Sequence, residues 1–154
     1  MKKNIKNSNR KYHLGIHGSR TLSDERVKII ILEEIAKHNP TTIITHAEPG
    51  GVCALVQKLC RELAIPLKVH FLNFKYLRGA FEHRSIDVIR DSDYSVFIHD
   101  GVSKGTMNEL TLAKKMKAPY SFYELEPTEY KQSVGFEIEE EWGDGITDGK
   151  ELLA

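Results

Sequence analysis

The chain has 154 residues, a length that suits one domain with a usable hydrophobic core, and its 22 Lys and Arg balance its 22 Asp and Glu. Residues 1–123 hold 20 of the 22 basic side chains, whereas residues 124–154 hold 10 of the 22 acidic ones. That acidic end argues against a dedicated duplex-DNA-binding protein. No segment approaches the length of a membrane span, and Met1–Lys11 lacks the apolar run of a signal peptide. We therefore expect a cytoplasmic protein without a membrane partner.

The charge pattern also divides the chain into three predicted parts. Residues 1–11 form a flexible basic arm, residues 12–124 form the folded body, and residues 125–154 form an acidic C-terminal extension. Within the body, Cys53 and Cys60 are seven residues apart, two turns along one helix face, which is too far for a disulfide between them. We expect buried free thiols.

Short apolar runs alternate with amphipathic segments along the body. The runs predicted as strands are Tyr12–His17, Thr42–Thr45, Leu67–His70, Tyr94–Ile98 and Tyr120–Tyr123. The segments predicted as helices carry apolar residues three and four apart around Val27–Ile35, Val52–Leu63, Glu82–Arg90 and Met107–Met116. This alternation predicts an α/β fold, a three-layer Rossmann-like parallel sheet of about five strands with helices on both faces.

The stretch Asp93–Ala118 reads as a strand, a glycine-containing loop and a helix. Gly101 ends the strand, and the run Ser103, Lys104, Gly105 and Thr106 leads into the helix. Backbone N–H groups at such a helix N-terminus suit an anion, most often phosphate. The alternative is a plain strand-to-helix turn with a Ser or Thr cap.

Two further glycine turns follow the first and second predicted strands. They are Gly18-Ser19-Arg20 and Gly50-Gly51. In open parallel sheets ligands bind outside the C-terminal ends of the strands, where all three turns would meet. Because neither GxGxxG nor GxxxxGK[ST] occurs, a dinucleotide fingerprint and a Walker-type ATPase are both disfavoured.

Four histidines, His17, His46, His70 and His99, stand at the ends of the predicted strands. No short His/Cys cluster accompanies them, and neighbouring strands lie about 5 Å apart, so four strands rarely gather on one ion. We expect no metal site and no cofactor. One or two of these imidazoles could lie near a ligand, or all could be hydrogen-bonded edge residues.

Arg84 and Glu109 are the strongest candidates for chemistry. The planar guanidinium of Arg84 suits a phosphate, and Glu109 could hold a water or attack a sugar carbon. The alternatives are an ion pair of Arg84 with Glu82 or Asp87, and a helix-dipole role for Glu109.

The motifs IHGSR, FEHRSIDVI and VFIHDGVSKGTMNELTLAKK, in this order, resemble the SLOG superfamily of Rossmann-like nucleotide-binding proteins, over about Tyr12–Tyr123. One relative, the LONELY GUY-type phosphoribohydrolases, hydrolyses the N-glycosidic bond of nucleoside 5′-monophosphates. Gly105–Glu109 matches their G-T-x-x-E signature, although Val102 and Ser103 replace its paired glycines. The resemblance implies that Arg84 and Glu109 are catalytic. Another relative, the DNA-processing proteins involved in transformation, binds single-stranded DNA.

On this resemblance, a 5′-phosphate would be held by the amides of Gly18–Arg20 and Ser103–Thr106, with Lys104 and Arg84. Three residues could protonate the leaving base, namely Glu48, His99 and Asp100. The expected partner is a nucleotide or phosphosugar, either cut or only bound by a non-catalytic sensor. Single-stranded nucleic-acid binding by the basic arm and nearby aromatics (Phe71, Phe74, Tyr76) is a weaker alternative. Relatives of this fold often form homodimers.

Overall fold

The computed structural model describes residues 10–126. Residues 1–9 and 127–154, which make up most of the predicted basic arm and acidic extension, lie outside this range, so those two predictions stay untested. Within residues 10–126, no helix combines the length and the apolar character that a membrane crossing requires.

Five parallel strands form one sheet in the order β3-β2-β1-β4-β5. The strands are β1 His13–Gly18, β2 Thr42–His46, β3 Leu67–His70, β4 Tyr94–His99 and β5 Tyr120–Glu124. The helices are α1 Glu25–His38, α2 Gly51–Leu63, α3 Ala80–Asp91 and α4 Lys104–Lys115, and a 3₁₀ helix spans Phe74–Gly79. The predicted α/β class, the parallel sheet and the five strands are confirmed.

The helices cover both faces of the sheet and bury two apolar clusters. One face packs on α1 and α2 through a cluster of strand and helix residues that includes Leu14, Ile16, Val27, Ile31, Val52, Val56, Val96 and Ile98. The other face packs on α3 and α4 around Ile89, Phe97, Leu110 and Ala113. Strand side chains alternate between the faces, so His17 lies on the α3/α4 side while Ile16 lies on the other.

Local signals explain where the first helix begins and ends. The Asp24 side chain accepts a hydrogen bond from the Arg26 amide, which caps the N-terminus of α1. Asn39 adopts a left-handed conformation, with φ of 48°, and Pro40 follows it, so the helix cannot continue. The predicted start of α3 at Glu82 is two residues late, because the helix follows directly from the 3₁₀ turn at Ala80.

The order of the strands creates a crevice above the centre of the sheet. The chain leaves β1 toward β2 and β3 on one side and reaches β4 and β5 on the other, so β1 and β4 flank the topological switch point. At the C-terminal ends of these strands Gly18 pairs with Ile98. The N-terminal part of α4 lies beside this edge, and α3 packs on α4, on β1 and on β2.

Candidate functional site

A small polar cleft, open to solvent and with a volume of about 30 Å³, lies at the C-terminal edge of the sheet. Both predicted catalytic residues, Arg84 of α3 and Glu109 of α4, line this cleft. The other lining residues are Gly18, Arg20, His46, Glu48, Cys53, Phe81, Gly105 and Thr106. The predicted convergence of the first and third glycine turns on one edge is therefore observed.

One wall of the cleft holds a carboxylate between two arginines. The Glu48 carboxylate forms an ion pair with Arg20 through one oxygen and with Arg84 through the other. Arg84 is only 5% exposed, and its guanidinium carbon lies 5.4 Å from the centre of the Phe81 ring. Its partner is thus a partly buried residue on the loop after β2, and not one of the neighbours Glu82 and Asp87 on its own helix.

Two histidines lie against Glu109, and one of them, His46, lines the cleft together with it. His46 Nε2 lies 3.0 Å from His17 Nδ1, and both imidazoles are buried. The Glu109 carboxylate lies 3.4 Å from His17 Nδ1 through Oε1 and 3.7 Å from His46 Nε2 through Oε2. Ser85 Oγ donates a hydrogen bond of 3.3 Å to Glu109 Oε2, and the His17 ring stacks on Phe97 at 4.3 Å.

Burial decides the protonation of His46. Desolvation, followed by the nearby His17 and Arg84, holds the pKa of His46 well below its usual value, so His46 is neutral at physiological pH. Among residues 10–126, four buried polar atoms lack a hydrogen-bond partner, and all four belong to cleft or cluster residues. They are His17 Nε2, His46 Nδ1, Arg84 Nε and Glu109 Oε1.

The loop between β4 and α4, residues 100–103, is hydrogen-bonded to itself. Asp100 Oδ1 accepts from the amides of Val102 (2.9 Å) and Ser103 (2.7 Å), while Oδ2 accepts from the hydroxyls of Ser103 (2.6 Å) and Thr21 (2.5 Å). The Ser103 amide, which we expected to hold a phosphate, is therefore engaged by a carboxylate of the chain. Ser103 makes no side-chain cap at α4, so an anion would have to use the first turn of that helix, at Lys104, Gly105 and Thr106.

These hydrogen bonds also determine the protonation of Asp100. Burial alone would raise the pKa of Asp100, but the bonds from Ser103, Thr21 and the two amides outweigh it and lower the pKa below its usual value. Asp100 is ionised at neutral pH and is a poor acid for a leaving base.

The first two glycine turns pack against each other rather than facing a ligand with free amides. The Ser19 amide donates to the Ile98 carbonyl, and Ser19 Oγ accepts from the Asp100 amide. A Cβ on Gly51, where φ is +72°, would lie 2.3 Å from Arg20 Cα, so only glycine fits this crossing. Gly18 is confined by Val52 in the same way. This close approach positions Arg20 at the cleft.

Several predicted ligand residues stay outside the lining of the cleft. They are Ser19, Gly50, Gly51, Gly101, Ser103 and Lys104. Gly50 precedes α2 with open space around its Cα, and Gly101 takes a φ of +92° in the turn after β4. The predicted phosphate-binding residues that line the cleft are Gly18, Arg20, Gly105 and Thr106.

The two remaining strand-end histidines are held elsewhere. His99 Nε2 donates to the Ser103 carbonyl at 2.9 Å, and its Nδ1 accepts from the Gly101 amide at 3.1 Å. His70 Nε2 lies 2.8 Å from Asp91 Oδ2. Of the three residues considered as acids for a leaving base, only Glu48 lines the cleft.

The sequence reasoning missed the pairing of His17 with His46 and the position of Glu48 between the arginines. The first had a signal: both histidines end neighbouring parallel strands on the same face of the sheet, which puts their side chains side by side. No sequence signal indicated the position of Glu48 between the arginines, because the path of the loop after β2 depends on the contact of Gly51 with Arg20.

The comparisons with known proteins add no relative. No protein-family model matches the chain, and no curated protein or solved structure matches it at a significant level.

Proposed function

We propose that this protein binds a nucleotide or a nucleotide-derived phosphosugar in the cleft, as its resemblance to the SLOG superfamily implies, and hydrolyses the N-glycosidic bond. The observation that carries the proposal is the Glu48 carboxylate, held by Arg20 and Arg84 in the cleft that Glu109 also lines. An anion position and a separate carboxylate thus share one cleft, which is what a phosphorylated sugar with a scissile bond requires.

The phosphate would take the position that Glu48 now fills. Two guanidiniums offer planar donors that match a phosphate, and the first turn of α4 adds the positive end of a helix dipole at Gly105 and Thr106. The Arg84 Nε–H, which has no partner within the described chain, is a further donor aimed at this wall. Glu48 would turn away as the phosphate enters.

Glu109 would act on the sugar. Hydrolysis of a glycosidic bond passes through a positively charged, oxocarbenium-like transition state, which a nearby carboxylate stabilises. Glu109 has one oxygen, Oε1, without a hydrogen bond from residues 10–126, while Ser85 orients the other. This carboxylate could also orient a water for attack on the sugar carbon.

A second candidate is a non-catalytic nucleotide sensor. Its support is that Asp100 engages the amides of Val102 and Ser103, where the related hydrolases have paired glycines. On this alternative the same cleft binds the nucleotide and no bond is cut. Product analysis separates the two candidates.

The test is incubation of the purified full chain with a panel of nucleoside 5′-monophosphates and NAD-derived nucleotides, followed by chromatography for the free base. We expect base release from at least one nucleotide, and a loss of about 100-fold or more in Glu109→Gln, because the neutral amide cannot stabilise a developing cation. Glu62→Gln, on the exposed side of α2, is the matched control and should retain the native rate.

Release that persists unchanged in Glu109→Gln would contradict the catalytic role of Glu109. If no base is released, thermal-shift measurements with the same panel test the sensor. A nucleotide that raises the melting temperature of the native protein, but not of Arg20→Ala or Arg84→Gln, would support binding without hydrolysis. No shift with any nucleotide would contradict both candidates.

A further inference from the structure

We propose that His17, His46 and Glu109 form a binding site for a divalent transition-metal ion of the zinc class, open to the cleft. This inference goes beyond nucleotide binding and does not depend on it. The three side chains come from β1, β2 and α4, all three are buried, and one donor atom from each lies within 4.8 Å of the others.

The separations of the donor atoms fit a zinc site. Zinc binds histidine nitrogen and carboxylate oxygen at about 2.0–2.2 Å in tetrahedral geometry, which puts neighbouring donor atoms roughly 3.3 Å apart. Here His46 Nε2 and His17 Nδ1 are 3.0 Å apart, and the Glu109 oxygens lie at 3.4 and 3.7 Å from them. With one donor atom taken from each residue, all three donor atoms lie within 4.8 Å of one another, so the side chains would close around the ion.

The protons of the cluster also favour an added cation. His17 Nδ1 and His46 Nε2 face each other at 3.0 Å, so a proton that lies between them is not available to Glu109. The Glu109 Oε1 oxygen lacks a hydrogen-bond donor among residues 10–126 although it is buried. A buried polar oxygen without a hydrogen bond is costly. One divalent ion would satisfy both nitrogens and the carboxylate at once.

The open side of the cluster resembles that of a catalytic rather than a structural metal site. Ser85 Oγ donates to Glu109 Oε2 and orients that ligand, while the outer nitrogens His17 Nε2 and His46 Nδ1 have no hydrogen-bond partner among residues 10–126. His46 and Glu109 line the cleft, so the fourth tetrahedral position would face it. Three protein ligands with an open fourth position are typical of catalytic zinc.

We expected no metal site because four histidines on four separate strands rarely gather on one ion. His70 and His99 indeed lie away from the cluster and are hydrogen-bonded elsewhere. That expectation left out Glu109 of α4, whose carboxylate lies against His17 and His46 and supplies the third donor. Two histidines on adjacent strands need one such ligand from outside the sheet.

The test uses the full chain without an affinity tag, stripped with a chelator and titrated with Co²⁺ as a spectroscopic probe for the zinc site. We expect one equivalent to produce the intense visible absorption of four-coordinate cobalt, which Zn²⁺ then displaces and Mg²⁺ does not. Glu109→Gln, which keeps the shape of the side chain, should weaken binding by about tenfold or more, and His46→Gln likewise. His70→Gln is the control and should bind as the native chain does.

Circular dichroism checks that each variant is folded; if His46→Gln is not, Glu109→Gln alone decides. Absence of the cobalt absorption in the native chain would overturn the proposal, as would equal affinity in Glu109→Gln. Because metal content is measured apart from base release, this proposal and the proposed hydrolysis can fail independently.

Discussion

Two regions meet at the C-terminal edge of the sheet, and they differ in how their polar groups are paired. In the β4–α4 loop, both oxygens of Asp100 accept two hydrogen bonds each, and both nitrogens of His99 are bonded. In the cleft beside it, His17, His46, Arg84 and Glu109 each retain a buried polar atom without a partner from residues 10–126. The polar side chains of Asp100 and His99 are thus fully hydrogen-bonded within the described chain, whereas those of the cleft are not.

This difference indicates which of the two regions binds a ligand. Buried polar groups in folded proteins nearly always have partners, so several unpaired ones in one cleft indicate groups kept for something that binds there. The loop carries the motif that first suggests a phosphate site, yet its hydrogen bonds make it a rigid support. The arginines and the histidine cluster of the neighbouring cleft are the groups with donors and acceptors to offer.

The largest stability effect should come from the cleft. Glu48→Gln removes the anion that pairs with the buried guanidinium of Arg84 and with the partly buried one of Arg20, and removing one partner of a buried ion pair costs about 3 kcal/mol. We expect the free energy of unfolding, measured by urea denaturation, to fall by that amount. The surface variant Glu62→Gln should change it by less than about 0.5 kcal/mol. An equally small change in Glu48→Gln would mean that the arginines do not depend on Glu48.

A smaller loss should follow from Asp100→Asn in the loop. The amide keeps one acceptor for the Val102 and Ser103 amides but places an NH₂ where the carboxylate accepts from hydroxyls. We expect a loss of about 2 kcal/mol in the free energy of unfolding. Asp87→Asn on α3 is the matched control. A native-like unfolding midpoint in Asp100→Asn would show that the loop is not held by its carboxylate.

The contribution of Asp100 should depend on pH in a defined direction. Its pKa is lower in the folded chain than in the unfolded chain, so ionised Asp100 stabilises the fold above the unfolded pKa. This stabilisation is lost as the pH falls through the folded pKa. The difference in unfolding free energy between the native chain and Asp100→Asn should therefore shrink from about pH 7 to about pH 3. A difference that stays constant would contradict the pairing described for the loop.

The smallest expected effect is the slow reaction of the two thiols with a disulfide reagent. Burial raises the pKa of Cys53 and of Cys60 to about 11, and each side chain is at most 2% exposed. Neither thiol should react with a disulfide reagent at neutral pH until denaturant unfolds the chain. Rapid labelling of Cys53 in the native state would show that the cleft opens more widely than its lining suggests.

Most of the fold could be predicted from the sequence because its signals are local. Apolar runs of four to six residues, amphipathic spacing in α1 and α2, and breakers such as Asn39-Pro40 each act within one element. The predicted start of α3 was late because that helix continues directly from the 3₁₀ turn at Ala80, which the apolar spacing does not show. The predicted convergence of Arg84 and Glu109 was correct because strand order alone brings α3 and α4 together.

The partners within the site could not be predicted, because they join residues far apart in the chain. Glu48 pairs with Arg84, which lies 36 positions further along the chain, and His17 of β1 contacts Glu109 of α4. Nor did the glycine pattern distinguish amides open to a ligand from amides already bonded. The Ser19 amide, which donates to Ile98, has the same sequence signature as a phosphate-binding one.

The central claim is that Glu48 fills the position of a ligand phosphate between Arg20 and Arg84. Calorimetric titration of ribose 5-phosphate, the portion shared by all nucleoside 5′-monophosphates, tests it most directly. We expect Glu48→Gln to bind this probe at least about tenfold more tightly than the native chain, a gain of about 1.4 kcal/mol, and Arg84→Gln to lose binding. Equal or weaker binding in Glu48→Gln, or unchanged binding in Arg84→Gln, would contradict it.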